Sequence, residues 1–211
     1  MQFTADQVWG SAVAADRIND GYIKEDEVVW ENNCRKVLKQ ANKMMVKNWL
    51  RTNDFVEVTA ADIEQGRVVR HYFNGLLLKE LSGKINDFER QALKIAQKDE
   101  FTGRDMLDFA IVSCLPAAML RDQARKELDS SIRSSTQLDA AVGDKIQGYI
   151  DVVKCHYNQN YNRFRVTATL GDSYVDFWFG TALEGRVGIK AKVKAQRGDN
   201  TTQLNFVKIT G

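Results

Sequence analysis

The chain reads as an α+β protein: an N-terminal helical bundle, residues 1–136, followed by a C-terminal five-stranded antiparallel β-barrel, residues 141–211. Three observations predict this. From Gly143 to Ile209 the sequence breaks into five runs of alternating apolar and polar residues with turn residues between them, which is the period of half-buried strands. The first two thirds instead carry helix-cap signatures followed by apolar residues at helical spacing. Charge divides at the same place: of 30 Lys/Arg and 28 Asp/Glu, residues 141–211 hold ten and six, a net of +4, which leaves 20 and 22, a net of −2, for residues 1–140.

Thr4-Ala5-Asp6-Gln7 has the form of a capping box, a Thr hydroxyl accepting from the amide three residues on while Gln reaches back. It opens a helix to about Ile18, with Val8, Trp9, Ala12 and Ala15 on the apolar face and Asn19-Asp20-Gly21 as its stop. A longer helix is expected from about Lys24 to Leu50. Glu25, Asp26 and Glu27 lie at its start and Lys43, Lys47 and Arg51 toward its end, the order a helix dipole favours. Thr52-Asn53-Asp54 breaks it, and Phe55 to Val58 forms a short extended link. Thr59-Ala60-Ala61-Asp62 caps a third helix to about Glu80, and Ile85 to Gln97 makes a fourth. Phe101 to Asp105 caps a fifth, after which Pro116, the single proline, kinks it or opens a sixth through about Ile132. The serine-rich stretch Ser130 to Thr136 is the expected boundary.

The strands follow. Lys145 to Cys155 is rich in β-branched and aromatic residues. Arg163 to Leu170 alternates strictly, with Phe164, Val166, Ala168 and Leu170 on one face and Arg163, Arg165, Thr167 and Thr169 on the other. After the turn Gly171-Asp172-Ser173, Tyr174 to Phe179 sends Val175, Phe177 and Phe179 one way and Tyr174, Asp176 and Trp178 the other, which completes a hairpin. Arg186 to Gln196 turns Val187, Ile189, Ala191 and Val193 inward and Lys190, Lys192 and Lys194 outward. The polar turn Arg197 to Asn200 leads to the fifth strand, Thr202 to Ile209.

Five short strands in about 70 residues favour a small closed barrel over an open sheet. The order is a long first strand, a polar and aromatic loop (His156 to Asn162), a tight hairpin, a basic fourth strand and a short last strand after a glycine turn. In this it resembles an oligonucleotide/oligosaccharide-binding (OB) barrel, and KAKVKAQRGDNTTQLNFVKI is similar to the last hairpin of nucleic-acid-binding OB modules. The chain departs from that pattern between the third and fourth strands, where Gly180 to Gly185 has room only for a turn in place of a helix. The preceding helices are then the expected closure of the barrel's open end. The helical part resembles, in general flavour, accessory proteins of bacteriophages.

Several functions are excluded or unsupported by the residues present. No apolar run approaches the length of about 18 to 20 residues that spans a bilayer, and the start lacks the layout of a secretion signal. A cytoplasmic protein is expected, in the host cytoplasm if phage-encoded. Cys34, Cys114 and Cys155 form no CxxC pair, and His71 and His156 lack partners at metal spacing. No phosphate-binding glycine loop occurs, and the glycines Gly180, Gly185 and Gly188 suit hairpin turns. Asp172 and Asp176 flank a hairpin without a second acidic pair, so they read as a turn residue and a solvated carboxylate. No cofactor, metal or enzymatic constellation is expected.

Binding remains. Single-stranded nucleic acid is held by stacking bases on exposed aromatics in a basic groove, each stacked base contributing about 1 to 3 kcal/mol. The outward face that OB modules use offers Arg163, Arg165, Tyr174 and Trp178; the first loop adds Tyr157 and Tyr161 beside His156; the fourth strand and last turn add Lys190, Lys192, Lys194 and Arg197. These ten residues other than His156 are the expected nucleic-acid-binding set. The alternatives are that Trp178 packs beneath helices and the lysines keep an outer strand soluble, the barrel being a protein-docking module. The helical domain suits a protein partner or an oligomer contact under either reading.

Overall fold

A computed structural model describes residues 1–210; Gly211, the last residue of the expected barrel range, lies outside the described residues. The described residues form two compact units, 1–123 and from 124 on.

In the first unit, β1 (Gln2–Thr4) leads into α1 (Ala5–Asn19) through the expected capping box, with Gln7 and Thr4 each accepting from the other's backbone amide. The predicted helix from Lys24 to Leu50 is overturned. Its first part is a two-stranded hairpin, β2 (Glu27–Glu31) and β3 (Cys34–Lys39), and only α2 (Asn42–Thr52) is helical. Asn32 and Asn33 between the strands both hold positive φ, 50° and 62°, the geometry of the hairpin turn that Asn tolerates. Phe55 to Val58 is a turn, not an extended link. Next come α3 (Ala60–Asn74), whose Thr59/Asp62 capping box matches expectation, α4 (Leu77–Leu81) and α5 (Asp87–Ala96). β4 (Glu100–Thr102), α6 (Met106–Val112) and α7 (Leu115–Ser134) follow, the residues of α7 from Ala124 on belonging to the second unit. Pro116 sits in the first turn of α7, where its missing N–H is no loss. Of the serine-rich stretch expected as a boundary, Ser130 to Ser134 form the end of α7 and Ser135 and Thr136 follow it.

α1 is the axis of this unit. Val8, Trp9, Ala12 and Ala15 are buried with Val46, Leu50, Val69, Phe73 and Phe109. β1 pairs with β4 so that Phe3 lies opposite Phe101, both buried. α1 and α3 touch backbone to backbone, and a Cβ on Gly66 would stand 2.8 Å from the Gly10 nitrogen. Beside the contact, Arg17 grips the buried Asp62 carboxylate with two nitrogens at 2.9 Å. Burial raises the Asp62 carboxyl, but the Arg17 bonds and those from the Thr59 amide and hydroxyl outweigh it and hold it below the ordinary carboxylate range.

In the second unit β5 (Lys145–Asn158), β6 (Arg163–Leu170), β7 (Ser173–Phe179), β8 (Arg186–Gln196) and β9 (Thr201–Ile209) close a barrel in the order β5-β6-β7-β9-β8. β8 returns to pair with β5. This arrangement is consistent with an OB-like barrel. The expectation of an antiparallel barrel needs one correction: β7 and β9 run parallel, so the barrel is mixed. Alternation along a strand fixes which side chains face inward but carries no information about the direction of a neighbour, which is why the sequence did not reveal it.

The interior is small and apolar: Ile150, Val166, Ala168, Val175, Phe177, Ile189, Ala191, Val193 and Leu204. Burying a side chain of this size stabilises by about 1.5 to 3 kcal/mol. Leu138 and Ala140 from the segment before β5, and Leu183 from the turn after β7, pack on this core. Gln196 Nε2 donates to both the Leu138 and Ala140 carbonyls, which ties an irregular strap to the barrel, while Asn200 Nδ2 donates to the Arg133 carbonyl of α7.

Candidate nucleic-acid interface

The outward side chains of the barrel fall into three groups, the second and third sharing Phe206. The first is a charge cluster on β6 and β7. Asp176, which the alternation places outward, is 2% exposed rather than solvated as expected. Arg165 donates to its Oδ2 through Nη2 at 3.0 Å, and Arg197 reaches the same oxygen at 3.1 Å. Residues of α7 from Arg125 to Ile132 line the same cavity of about 280 Å³ as Asp176, Arg165, Arg197, His156 and Lys154, which is why a carboxylate on the outer face is buried. Asp199 starts the last strand by accepting from the Thr201 amide at 3.0 Å. Burial would raise Asp199, but bonds from the Thr201 amide and hydroxyl, with Arg197 nearby, hold it below the ordinary carboxylate range.

The second group is an open groove of about 460 Å³ lined by Arg163, Trp178, Lys194, Asn205 and Phe206. The loop after β5 supplies its rim. Asn158 Oδ1 accepts from the amides of Asn160 and Tyr161, and Asn162 closes the turn at φ 49°. The Tyr157 hydroxyl donates to Asn162 Oδ1 at 2.6 Å while its ring lies 5.1 Å from Phe164. Tyr157 thus braces the loop. Tyr161, held by that loop, sets its ring centroid 5.1 Å from Trp178 at 54° and stays 67% exposed. Trp178 is half-buried, so one side of its ring is supported.

The ladder between β8 and β9 shapes this groove with two bulges. Between the pairs Lys190–Lys208 and Lys192–Asn205, two residues of β9, Phe206 and Val207, oppose the single residue Ala191. One step further on, Lys194 is the extra residue of β8 between the pairs Val193–Leu204 and Ala195–Gln203. Bulges re-aim side chains, and both re-aimed residues line the groove. Phe206 is 77% exposed at φ 51°, the one residue that is not Asn or Asp among the seven non-glycine positive-φ residues described. A left-handed conformation costs a residue with a Cβ about 1 to 2 kcal/mol. Sequence reasoning missed Phe206 because Thr202, Leu204 and Phe206 share one face in a regular strand, and that face is the core.

The third group is a groove of about 580 Å³ lined by Lys145, Lys190, Lys192, Lys208 and Phe206. The register sets Lys145 opposite Lys192 and Lys190 opposite Lys208. Of the ten expected residues, Tyr161, Arg163, Trp178 and Lys194 therefore lie together, and Lys190 and Lys192 line the neighbouring groove. Arg165 and Arg197 are engaged by Asp176. Tyr174 is half-buried opposite Thr169, and Tyr157 serves the loop.

Elsewhere, a mainly apolar cavity of about 590 Å³ in the helical unit is lined by Met1, Phe3, Met44, Met106 and Phe109, with Lys47 and Arg51 among its walls. No helix among the described residues is long and apolar enough to cross a membrane. Comparison with models of protein families, with curated proteins and with solved structures found no match.

Proposed function

We propose that the protein is a non-enzymatic accessory protein that binds single-stranded DNA or RNA through its C-terminal barrel, in replication, recombination or transcription. The observation that carries this reading is the Tyr161–Trp178 ring pair set in an open groove with Arg163 and Lys194. A half-supported indole offers a face to a base, and the two cations beside it offer partners to the flanking phosphates. The loop that holds Tyr161 is fixed by its own hydrogen bonds, so little ordering entropy opposes binding.

The test is an anisotropy titration with a labelled single-stranded 20-mer at two salt concentrations. The expected result is saturable binding that weakens steeply with salt and falls about thirtyfold in Trp178→Ala. No binding at the lower salt overturns the proposal.

A second reading, docking to a protein through the helical unit, draws on different observations: the methionine-lined cavity and the exposed Trp30 on the β2–β3 hairpin. An isolated two-stranded hairpin is marginal in water, and a partner laid along it would support it. Under this reading Trp30→Ser and Met44→Glu abolish complex formation while oligonucleotides leave the protein's fluorescence unchanged.

A further inference from the structure

Resting on the reading that the barrel binds single-stranded nucleic acid, we infer that the strand crosses the β9–β8–β5 face, with Phe206 wedged between successive bases and the lysine groove beyond it holding the phosphates.

Phe206 lines both the Trp178 groove and the lysine groove, so the two are continuous past one exposed ring. That ring owes its position to a bulge and a left-handed backbone, conformations that persist where the surrounding structure enforces them and that cluster at ligand clamps. Beyond it, two lysine pairs stand directly opposite each other across the ladders. Like charges so placed oppose the sheet. None of Lys145, Lys190, Lys192, Lys194 and Lys208 has a carboxylate partner among the described residues. An unneutralised row of this kind concentrates positive potential along one line, and a polyanion laid along that line is the ligand whose charge complements it. The aromatic wedge selects, among polyanions, a strand whose bases are free to stack.

The dimensions agree. From β7 to β5 by way of β9 and β8 is three strand spacings, about 15 Å in all. That is room for about four nucleotides, the lower end of the range of about 4 to 16 for one OB barrel.

The experiment compares full-length wild type with Phe206→Gly, Lys190→Ala/Lys208→Ala and Trp178→Ala in titrations of labelled oligo(dT) 20-mer across a salt series. Phe206→Gly is chosen because glycine accepts φ 51° without strain. Its thermal midpoint is expected to hold or rise while affinity falls about tenfold, a combination that a purely structural Phe206 does not produce. The double lysine variant is expected to flatten the plot of log affinity against log salt by about 1.4, two phosphate contacts at about 0.7 each on a single strand.

If wild type binds and Trp178→Ala weakens it but both Phe206→Gly and the lysine variant match wild type, the track is wrong and the broader binding proposal stands. If wild type does not bind, both are overturned.

Discussion

The two cationic faces of the barrel are made from the same kinds of residue and differ in one respect. On the first face Arg165 and Arg197 converge on the buried Asp176 carboxylate, so their charge is spent inside the protein. On the second, Arg163 and Lys194 flank Trp178 and Tyr161 in an open groove, and no acid answers them among the described residues. Counting arginines along the strands treats the two faces alike. What separates them is a single aspartate two residues before Trp178: it neutralises the arginines of one face, and the proposal gives ligand binding to the face it leaves open.

The largest effect is expected from Asp176→Ala. Removing one partner of a buried charge cluster is costly, but Arg165 and Arg197 are 48% and 35% exposed and regain water, so a loss of about 3 kcal/mol is predicted from the urea midpoint. Affinity for a single strand should hold or rise a few-fold, because two arginines are released. A collapse of affinity with the fold intact would merge the two faces into one site. Trp178→Ala comes next, with a loss of about 2 kcal/mol of binding, about thirtyfold, and Trp178→Phe keeping most of it.

Arg165→Ala should do the reverse of Trp178→Ala. Stability falls by about 2 kcal/mol, the value of a hydrogen bond to a charged group, because the buried Asp176 carboxylate keeps only Arg197, while affinity changes less than about threefold. Equal binding losses for Arg165→Ala and Trp178→Ala would erase the distinction between the faces. The smallest effect concerns acid. Asp199 titrates below its ordinary 3.8 in the folded barrel, so its contribution is present above that pH and is lost as pH falls through the folded value. Wild type should exceed Asp199→Asn in thermal midpoint at pH 6, and the difference should vanish as the pH falls below 3.8.

Much of the architecture was legible in the chain. The Thr4 and Thr59 boxes located two helix starts to the residue, because a cap is a local hydrogen-bond pattern. The strict alternation of Arg163 to Leu170 gave strand and face together. The hairpin Glu27–Lys39 was misread because its acidic start and basic end mimic a helix dipole, although Asn32-Asn33 carried the turn signal. Within the candidate site, Tyr161, Arg163, Trp178 and Lys194 follow from alternation and loop composition. Asp176's burial and Phe206's exposure do not, since one depends on residues of α7 far away in sequence and the other on a bulge that reverses the period.

The central claim, that the open aromatic face holds single-stranded nucleic acid and the Asp176 face does not, is tested most directly by photocrosslinking. Full-length protein is irradiated with a single strand carrying 5-iodouridine, and the crosslinked residues are mapped by mass spectrometry. Crosslinks at Tyr161, Trp178 or Phe206 are the predicted result. Crosslinks confined to His156 and its neighbours around Asp176, or to the helical unit, would contradict it.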